Sequence, residues 1–388
     1  MGERWTLESA AAKRGPALHP LAGARTPLFA KRTLLTSGLS KRSRVQRAVS
    51  LAAQLGRNPF AWYESLRWKS KFADVDPEKP VLFLIGHWRS GTTHLHNLMS
   101  RDPQFGFMTF GETALPMNML GKKVEFARSI IDKTLPKTRG YDNVKLDLSE
   151  PQEEEMALGN LNSICYYNVY YFPQMMEIEQ KRSLLMEEAT PEEIEQFEDS
   201  YRFIVRKMNY AKEGKQLLFK NPASTSRVAM LKRLFPNAKF INIVRNPWPV
   251  FSSSMGKFPR MLNAFAWQDF DQIDYADFTI RNYKDLMQRY LHDRDALDLP
   301  PSDLVETSYE KITADPIAEI GRIYDQLEIP NKEAGLVPIQ EYAESMNSYK
   351  RNVHTISPEH AARIREEWRF AFDEWGYPLD PPVDIAIL

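Results

Sequence analysis

Residues 81–93 read VLFLIGHWRSGTT. Val81 to Ile85 form an apolar run with the length of a buried strand. A glycine-bounded loop follows, Gly86-His-Trp-Arg-Ser-Gly91, and Thr92 and Thr93 then open THLHNLMSRD, in which Leu95, Leu98 and Met99 share one helical face. Strand, G-x-x-x-x-G loop and helix together are the arrangement of a nucleotide-phosphate loop, G-x-x-x-x-G-K-[ST]. The lysine is missing. Thr92 stands in its place, and a cation, Arg89, sits inside the loop instead.

The surrounding sequence extends this into a sheet. QLLFK (216–220) and KFINIV (239–244) read as further short buried strands, and SRVAMLKRLFP (226–236) as the helix between them. LVETSY, within 303–329, is a fourth strand followed by a helix. Strands alternating with helices predict an α/β, P-loop-like three-layer fold: a central parallel sheet flanked by helices. Ligands of such sheets bind at the carboxyl ends of strands. Three of the strands end in polar, ligand-ready sequence: Gly86-His-Trp-Arg, Lys220-Asn-Pro and Arg245-Asn-Pro. Residues 1–75 read as a basic, mostly helical arm and 76–388 as the main domain, with a helical insertion at about 105–215 that covers the acceptor site. In that insertion Thr190 and Glu193 have capping-box spacing.

Composition excludes several classes. The chain has 388 residues, 43% of them hydrophobic and 26% charged, with a formal net charge of zero. That is globular composition with no bulk electrostatic attraction for nucleic acid. The single cysteine, Cys165, excludes an intrachain disulfide and any all-cysteine metal site. No apolar run reaches the roughly 18–20 residues of a membrane span, so the expected location is cytoplasmic. Charge is unevenly spread: ten basic residues and no acidic one fall between Ser9 and Tyr63, interleaved with apolar residues such as Leu34, Val45 and Leu51. Such an arm can lie on an anionic membrane, act as a transit peptide, or pack on the domain with a solvated basic face.

The loop is an anion cradle. Backbone N–H groups from Gly86 to Thr93 converge at a helix N-terminus, and Ser90, Thr92 and Thr93 add hydroxyls. Arg89 supplies a rigid fork suited to multi-oxygen anions, so the ligand need not bring a metal. A second clamp is Arg245, at the end of a strand, with Ser253 eight residues later. A guanidinium with a hydroxyl suits a second, separate phosphate.

These segments resemble a known family. GHWRSGTTHLHNLM is similar to the 5′-phosphosulfate motif of sulfotransferases that use PAPS (3′-phosphoadenosine 5′-phosphosulfate). IVRNPWPVFSSSM is similar to their 3′-phosphate motif, and VETSYEKITADP to the segment that follows. KNPASTSRVAMLKRLFPNAKF resembles tyrosylprotein sulfotransferases and a broad bacterial group, which DNVKLDLSEPQEEEMAL also resembles. The likeness covers roughly residues 80–330. It implies PAPS as donor, PAP as product, and no metal. Gly86, Arg89, Ser90, Gly91, Thr92 and Thr93 would hold the 5′-phosphosulfate, and Arg245 and Ser253 the 3′-phosphate. Tyr309 would line the adenine pocket, with a core tyrosine as the plainer alternative. Lys350 and Arg351 would approach the 3′-phosphate, with a solvated basic loop as theirs. Catalysis would rest on Arg89, at the bridging oxygen where charge develops, on Lys220, and on a base.

The base is the open position. Cytosolic members of the family use a histidine where this chain has Pro222. Phe110-Gly-Glu112-Thr resembles the glutamate segment of tyrosylprotein sulfotransferases, which implies Glu112. Glu153 and Glu155 of PQEEE are the other candidates, unless that stretch is merely a solvated helix start. His87, His94, His96 and His354 remain as outsiders. The competing activity is an ATP- and Mg²⁺-dependent phosphotransferase, against which stand Thr92 at the lysine position and a strand ending in Arg245 rather than Asp. Aromatic and Met-rich stretches at 105–120 and 161–176 favour an amphipathic acceptor (a sterol, a lipid or a phenol) over a carbohydrate or a protein tyrosine. The expected partner is thus a small hydroxylated molecule and no nucleic acid. The chain also admits a homodimer and peripheral membrane contact through the arm.

Overall fold

The computed structural model describes residues 18–121, 149–345 and 354–387. Five strands form one parallel sheet: β1 (Leu82–Ile85), β2 (Phe105–Gly106), β3 (Gln216–Lys220), β4 (Lys239–Val244) and β5 (Leu304–Ser308). Their order is β2-β3-β1-β4-β5, with Phe83 beside Phe219 on one side and Phe240 on the other. Both faces are covered, because alternate residues enter different cores. The Phe83 ring lies 5.9 Å from Phe219 and 5.8 Å from Phe240 on one face. Leu82, Leu84, Leu218, Ile241 and Val305 pack together on the other. This is the three-layer α/β fold that the sequence predicts.

The helices that matter to the site are α1 (Thr26–Leu34), α2 (Arg44–Phe72), α3 (Thr92–Met99), α4 (Phe110–Ala114), α5 (Glu155–Leu161), α6 (Asn168–Tyr171), α7 (Pro191–Ala211), α8 (Pro247–Phe265), α9 (Tyr275–Leu297) and α10 (Tyr309–Ala314). α3 packs on the aliphatic face of the sheet through Leu95, Leu98 and Met99, and α7 on the aromatic face through Phe197, Tyr201 and Ile204. α4 to α7 belong to the insertion between β2 and β3. Thr190 and Glu193 form the expected capping box of α7.

Some details differ from expectation. The helix expected at 226–236 begins as a 3₁₀ turn, Pro222–Arg227, because Asn221 caps Ala223 and Pro222 cannot continue the strand ladder. Tyr309 is not the end of a strand but the first residue of α10, capped by Ser308. A parallel pair of short C-terminal strands, His354–Ile356 with Ile385–Ile387, was not expected. The described part of the arm packs on the domain, one of the readings its sequence allows: Leu21, Ala24, Phe29 and Phe72 are buried in the main core.

Candidate active site

The loop after β1 has the shape that its glycines allow. Gly86 has φ +134°, and a Cβ there would lie 2.2 Å from the Ile243 carbonyl oxygen on the neighbouring strand. Gly91 has φ +96°, and its Cβ would meet the Tyr309 ring at 2.5 Å. A side chain at either position would be strained and would collide. The Gly86 N–H donates to Thr225 Oγ1 at 2.7 Å, which ties the loop to the segment after β3. Gly91 gives α3 no side-chain cap, so its first N–H groups face the loop. Arg89 is held at φ 71°, a conformation costing a non-glycine residue about 1–2 kcal/mol.

Arg89 is also where the two expected anion clamps meet. Its Nε donates to Ser253 Oγ on α8 at 2.7 Å. Its carbonyl accepts from Arg245 Nη1 at 3.1 Å. The Arg245 guanidinium lies over the Tyr309 ring, 4.1 Å from its centre, and its buried Nε has no hydrogen-bond partner among the described residues. Gly91, Arg89, Ser253, Arg245 and Tyr309 thus form one cluster at the carboxyl ends of β1, β4 and β5. Ser90 and Thr92 are buried in the same turn. Lys350 and Arg351 lie outside the described residues, as does the side chain of His354.

A second cluster stands at the end of β3. The Lys220 ammonium donates to Glu153 Oε1 at 2.6 Å and to Thr93 Oγ1 at 3.4 Å. Tyr167 donates to Glu153 Oε2 at 2.6 Å. Burial works against a charged Glu153, but Lys220 and Lys257 outweigh it and hold its carboxyl at about 2. All three glutamates of PQEEE are buried, so that stretch is not a solvated helix start. Glu155 makes a two-pronged pair with Arg227, 2.7 and 3.1 Å, and accepts from Asn221 Nδ2 at 2.7 Å. Glu154 accepts from Tyr201 Oη at 2.5 Å, and burial pushes its carboxyl up to about 7.

Glu112 sits elsewhere. It closes the capping box of α4, accepting from the Thr109 N–H at 2.8 Å, and pairs with Lys212 at 2.9 and 3.1 Å. These contacts tie both of its oxygens to the end of α7 and the start of α4. His96 is buried against Phe107, and burial depresses it to about 3, with Lys220 adding to the effect. His87 is likewise buried and lowered to about 3, its Nδ1 lying 2.6 Å from the Trp88 carbonyl. His94 is lowered by burial as well. All three are therefore neutral near pH 7.

Beside Arg89 lies an aromatic recess lined by Trp88, Tyr166, Tyr170, Phe258 and Phe278, together with Lys257. Trp88 stacks on Tyr166 at 4.0 Å, joining the loop to the insertion. Of the two stretches expected at the acceptor site, 161–176 lines this recess, whereas Phe105, Met108 and Met119 of 105–120 are core. Lys257 went unnoticed in the sequence. Its signal was available: it lies one helical turn beyond Ser253, hence on the same face. Among the described residues, no group of three or more His, Cys, Asp or Glu side chains could hold a metal.

A model of the sulfotransferase family matches residues 80–333. The chain is 29% identical over 323 residues to the omega-hydroxy-beta-dihydromenaquinone-9 sulfotransferase Stf3 of Mycobacterium bovis, covering 82% of this chain and 81% of that one. The protein of the same name from Mycobacterium tuberculosis matches to the same extent. In fold the chain is similar to sulfotransferase STF9 of Mycobacterium avium, with a TM-score of 0.68 and 15% identity over 92% of this chain and 91% of that one. It is also similar to sulfotransferase STF1 of Mycobacterium tuberculosis, with a TM-score of 0.57 and 13% identity over 88% and 94%. A family match over most of the chain, on the glycine loop and the strand ends that carry the site, means that this protein belongs to the sulfotransferase family.

Proposed function

We propose that this protein transfers the sulfuryl group of PAPS to the hydroxyl of an amphipathic, lipid-type acceptor, and that it meets that acceptor at a membrane surface. The observation that carries the PAPS reading is the Arg89 junction. Its side chain is held by Ser253 and its carbonyl by Arg245, so a 5′ anion site and a second anion site adjoin. The residues fit the donor: a cradle that only glycine can form, a helix N-terminus with no side-chain cap, and a buried guanidinium nitrogen without a partner among the described residues.

PAPS, when bound, would supply the sulfuryl group, and the electron pair of the broken S–O bond would leave on the bridging oxygen of PAP. Gly86, Ser90, Gly91, Thr92 and Thr93 would hold the phosphosulfate. Arg89 would neutralise charge as it develops on the bridging oxygen, with Lys220 beside it. Arg245 and Ser253 would grip the 3′-phosphate and Tyr309 would flank the base, with Lys350 and Arg351 as further 3′-phosphate contacts.

For the base, Glu153 replaces Glu112 as our choice. Glu112 is engaged in a cap and an ion pair. Glu153 touches Lys220, which Thr93 links to the loop. Paired with Lys220, Glu153 is a weak base, at about 2. An anion drawn to the Lys220 ammonium competes for that pairing, so Glu153 gains proton affinity when the donor is in place. It can then take the proton of the acceptor hydroxyl as the new O–S bond forms.

The acceptor class follows from the aromatic recess beside Arg89 and from relatives named for an omega-hydroxylated dihydromenaquinone. The recess holds about 20 Å³, room for about one water, so an acceptor would need its ring side chains to swing aside. Calorimetric titration with PAP in EDTA, beside ATP with Mg²⁺, tests the donor. Tight PAP binding and weak ATP binding are expected, and the reverse result would make the loop a kinase variant. Transfer from [³⁵S]PAPS to a long-chain isoprenoid alcohol, against a sugar and a tyrosyl peptide, tests the acceptor.

A further inference from the structure

The long arm helix α2 turns a large apolar surface outward. Its inward side buries Ala61 and Phe72 but is otherwise polar. Ser50 accepts from the His19 N–H at 3.1 Å, Gln54 donates to the Ala24 carbonyl at 3.0 Å, and Glu64 accepts from the Met119 and Leu120 N–H groups at 2.5 and 2.6 Å while pairing with Lys207. Its outward side is apolar. At about 100° per residue, Val45, Val49, Ala52, Leu55, Trp62 and Leu66 fall within an arc of about 140°. They are well exposed: Val45 75%, Leu55 54%, Trp62 69% and Leu66 88%. No charged residue falls in that arc between Val45 and Leu66, a stripe about 32 Å long. Basic residues bracket it, with Lys41, Arg42, Arg44 and Arg47 at one end and Arg67, Lys69 and Lys71 at the other. An apolar stripe of this size marks an interface rather than ordinary surface.

We propose that the outward face of α2 seats this protein on the surface of an anionic lipid bilayer. The apolar stripe would enter the acyl boundary, and the basic ends would meet acidic headgroups. Charge decides against a second copy of the chain. A two-fold pairing of antiparallel α2 helices would bring one basic end against the other, which is repulsive. Position supports the bilayer. Gln46 donates to the Ala264 carbonyl at 3.3 Å and Arg42 to Asn263 at 3.0 Å, so the start of α2 rests on the end of α8. Phe258, which lines the recess, lies six residues earlier on α8, about 9 Å along the helix. The seat therefore adjoins the candidate acceptor site. Its use in delivering substrate rests on the lipid-acceptor reading, but the surface itself does not.

The test is vesicle flotation of the full chain, with phosphatidylglycerol–phosphatidylcholine vesicles against pure phosphatidylcholine vesicles. The anionic vesicles should carry the protein, and rising salt should release it. The triple variant L55E/W62E/L66E should lose on the order of tenfold or more of this partition, with an unchanged melting temperature and unchanged PAP affinity. No flotation by the wild type, or equal flotation by the triple variant, overturns the proposal. Two other occupants have their own signatures. A wild-type dimer that the triple variant splits, seen by sedimentation velocity, means that a second copy covers the stripe. The described chain reaches Gly121 against Trp68, so a triple variant that melts several degrees lower while the wild type does not float means that residues 122–148 cover it. Flotation without transfer to any lipid alcohol keeps the seat and faults the acceptor reading instead.

Discussion

Substitution of Glu153 by Gln separates the base from the scaffold. The Glu153 carboxyl is pinned at about 2 instead of the ordinary 4.5. At about 1.4 kcal/mol per tenfold change in proton affinity, that difference corresponds to about 3 kcal/mol of folded-state stability at neutral pH. Because the folded value is the lower one, this stability is present above about pH 4.5 and is lost as pH falls through about 2. E153Q should therefore unfold in urea at pH 7 with about 3 kcal/mol less stability. Most of that loss is the cost of leaving the Lys220 ammonium buried without its anion, since its side chain is 2% exposed. Adding Lys220→Met should recover most of the loss, because the uncompensated charge goes with it. Turnover should not recover: E153Q and the double variant should both show kcat reduced roughly 10²- to 10⁴-fold with PAPS and a long-chain alcohol. Wild-type turnover in E153Q refutes the base assignment. Equal instability of the single and double variants refutes the ion-pair reasoning.

Three further outcomes are expected. Arg245→Ala should weaken PAP binding in calorimetry about 10- to 100-fold, the worth of charge-assisted hydrogen bonds, while leaving kcat at saturating PAPS within a few-fold. Glu112→Gln should lower the melting temperature by a few degrees, through the lost Lys212 pair and the weakened cap, and leave turnover nearly unchanged; a hundredfold loss of turnover would return the base role to Glu112. Burial raises Glu154 to about 7, so folding loses stability as pH climbs from about 4.5 to 7, by about 3 kcal/mol in all. E154Q should match the wild type near pH 4.5 and exceed it progressively toward pH 8 in urea titrations. Buried His19, His87 and His96 tilt the acid side of both profiles alike, so the difference isolates Glu154.

The geometry of the glycine loop and of the Arg245–Ser253 pair was legible in the sequence because it is local. A buried run, two glycines at fixed spacing and an arginine announce a phosphate loop within thirteen residues of sequence. Arg245 and Ser253 share a strand end and the first turns of α8, so their spacing carries their geometry. The partners of the two candidate bases were not legible. Glu153 finds Lys220 across 67 residues, and Glu112 finds Lys212 across 100. The path of the insertion sets both pairings, and no spacing rule reports it. The arm illustrates the same limit. Its basic residues were plain in the sequence, but which side of α2 faces inward depends on Ser50, Gln54 and Glu64 finding partners in distant segments. β2 has two residues, too few for any periodic signal.

The three consecutive glutamates show how the insertion holds the proposed base in place. Glu155 is locked to Arg227 by a buried two-pronged pair, an arrangement that costs several kcal/mol to break from one side. Arg227 closes the 3₁₀ turn after β3 and also donates to the Ser183 carbonyl at 2.7 and 2.9 Å. Glu154, one residue back, is fixed by Tyr201 of α7, which also meets Ser224 of that turn at 3.0 Å. Two successive residues of the insertion are thus bolted to the segment that leaves β3. The third, Glu153, can only reach the end of the same strand, where Lys220 waits. The segment is held to the donor loop as well, through Thr225 and the Gly86 N–H. Donor cradle and proposed base are therefore referenced to a single short stretch, 220–227. A sulfuryl transfer that requires nucleophile, sulfur and leaving oxygen in line gains from such a common anchor. The buried charges of PQEEE are best understood as the means of holding that alignment.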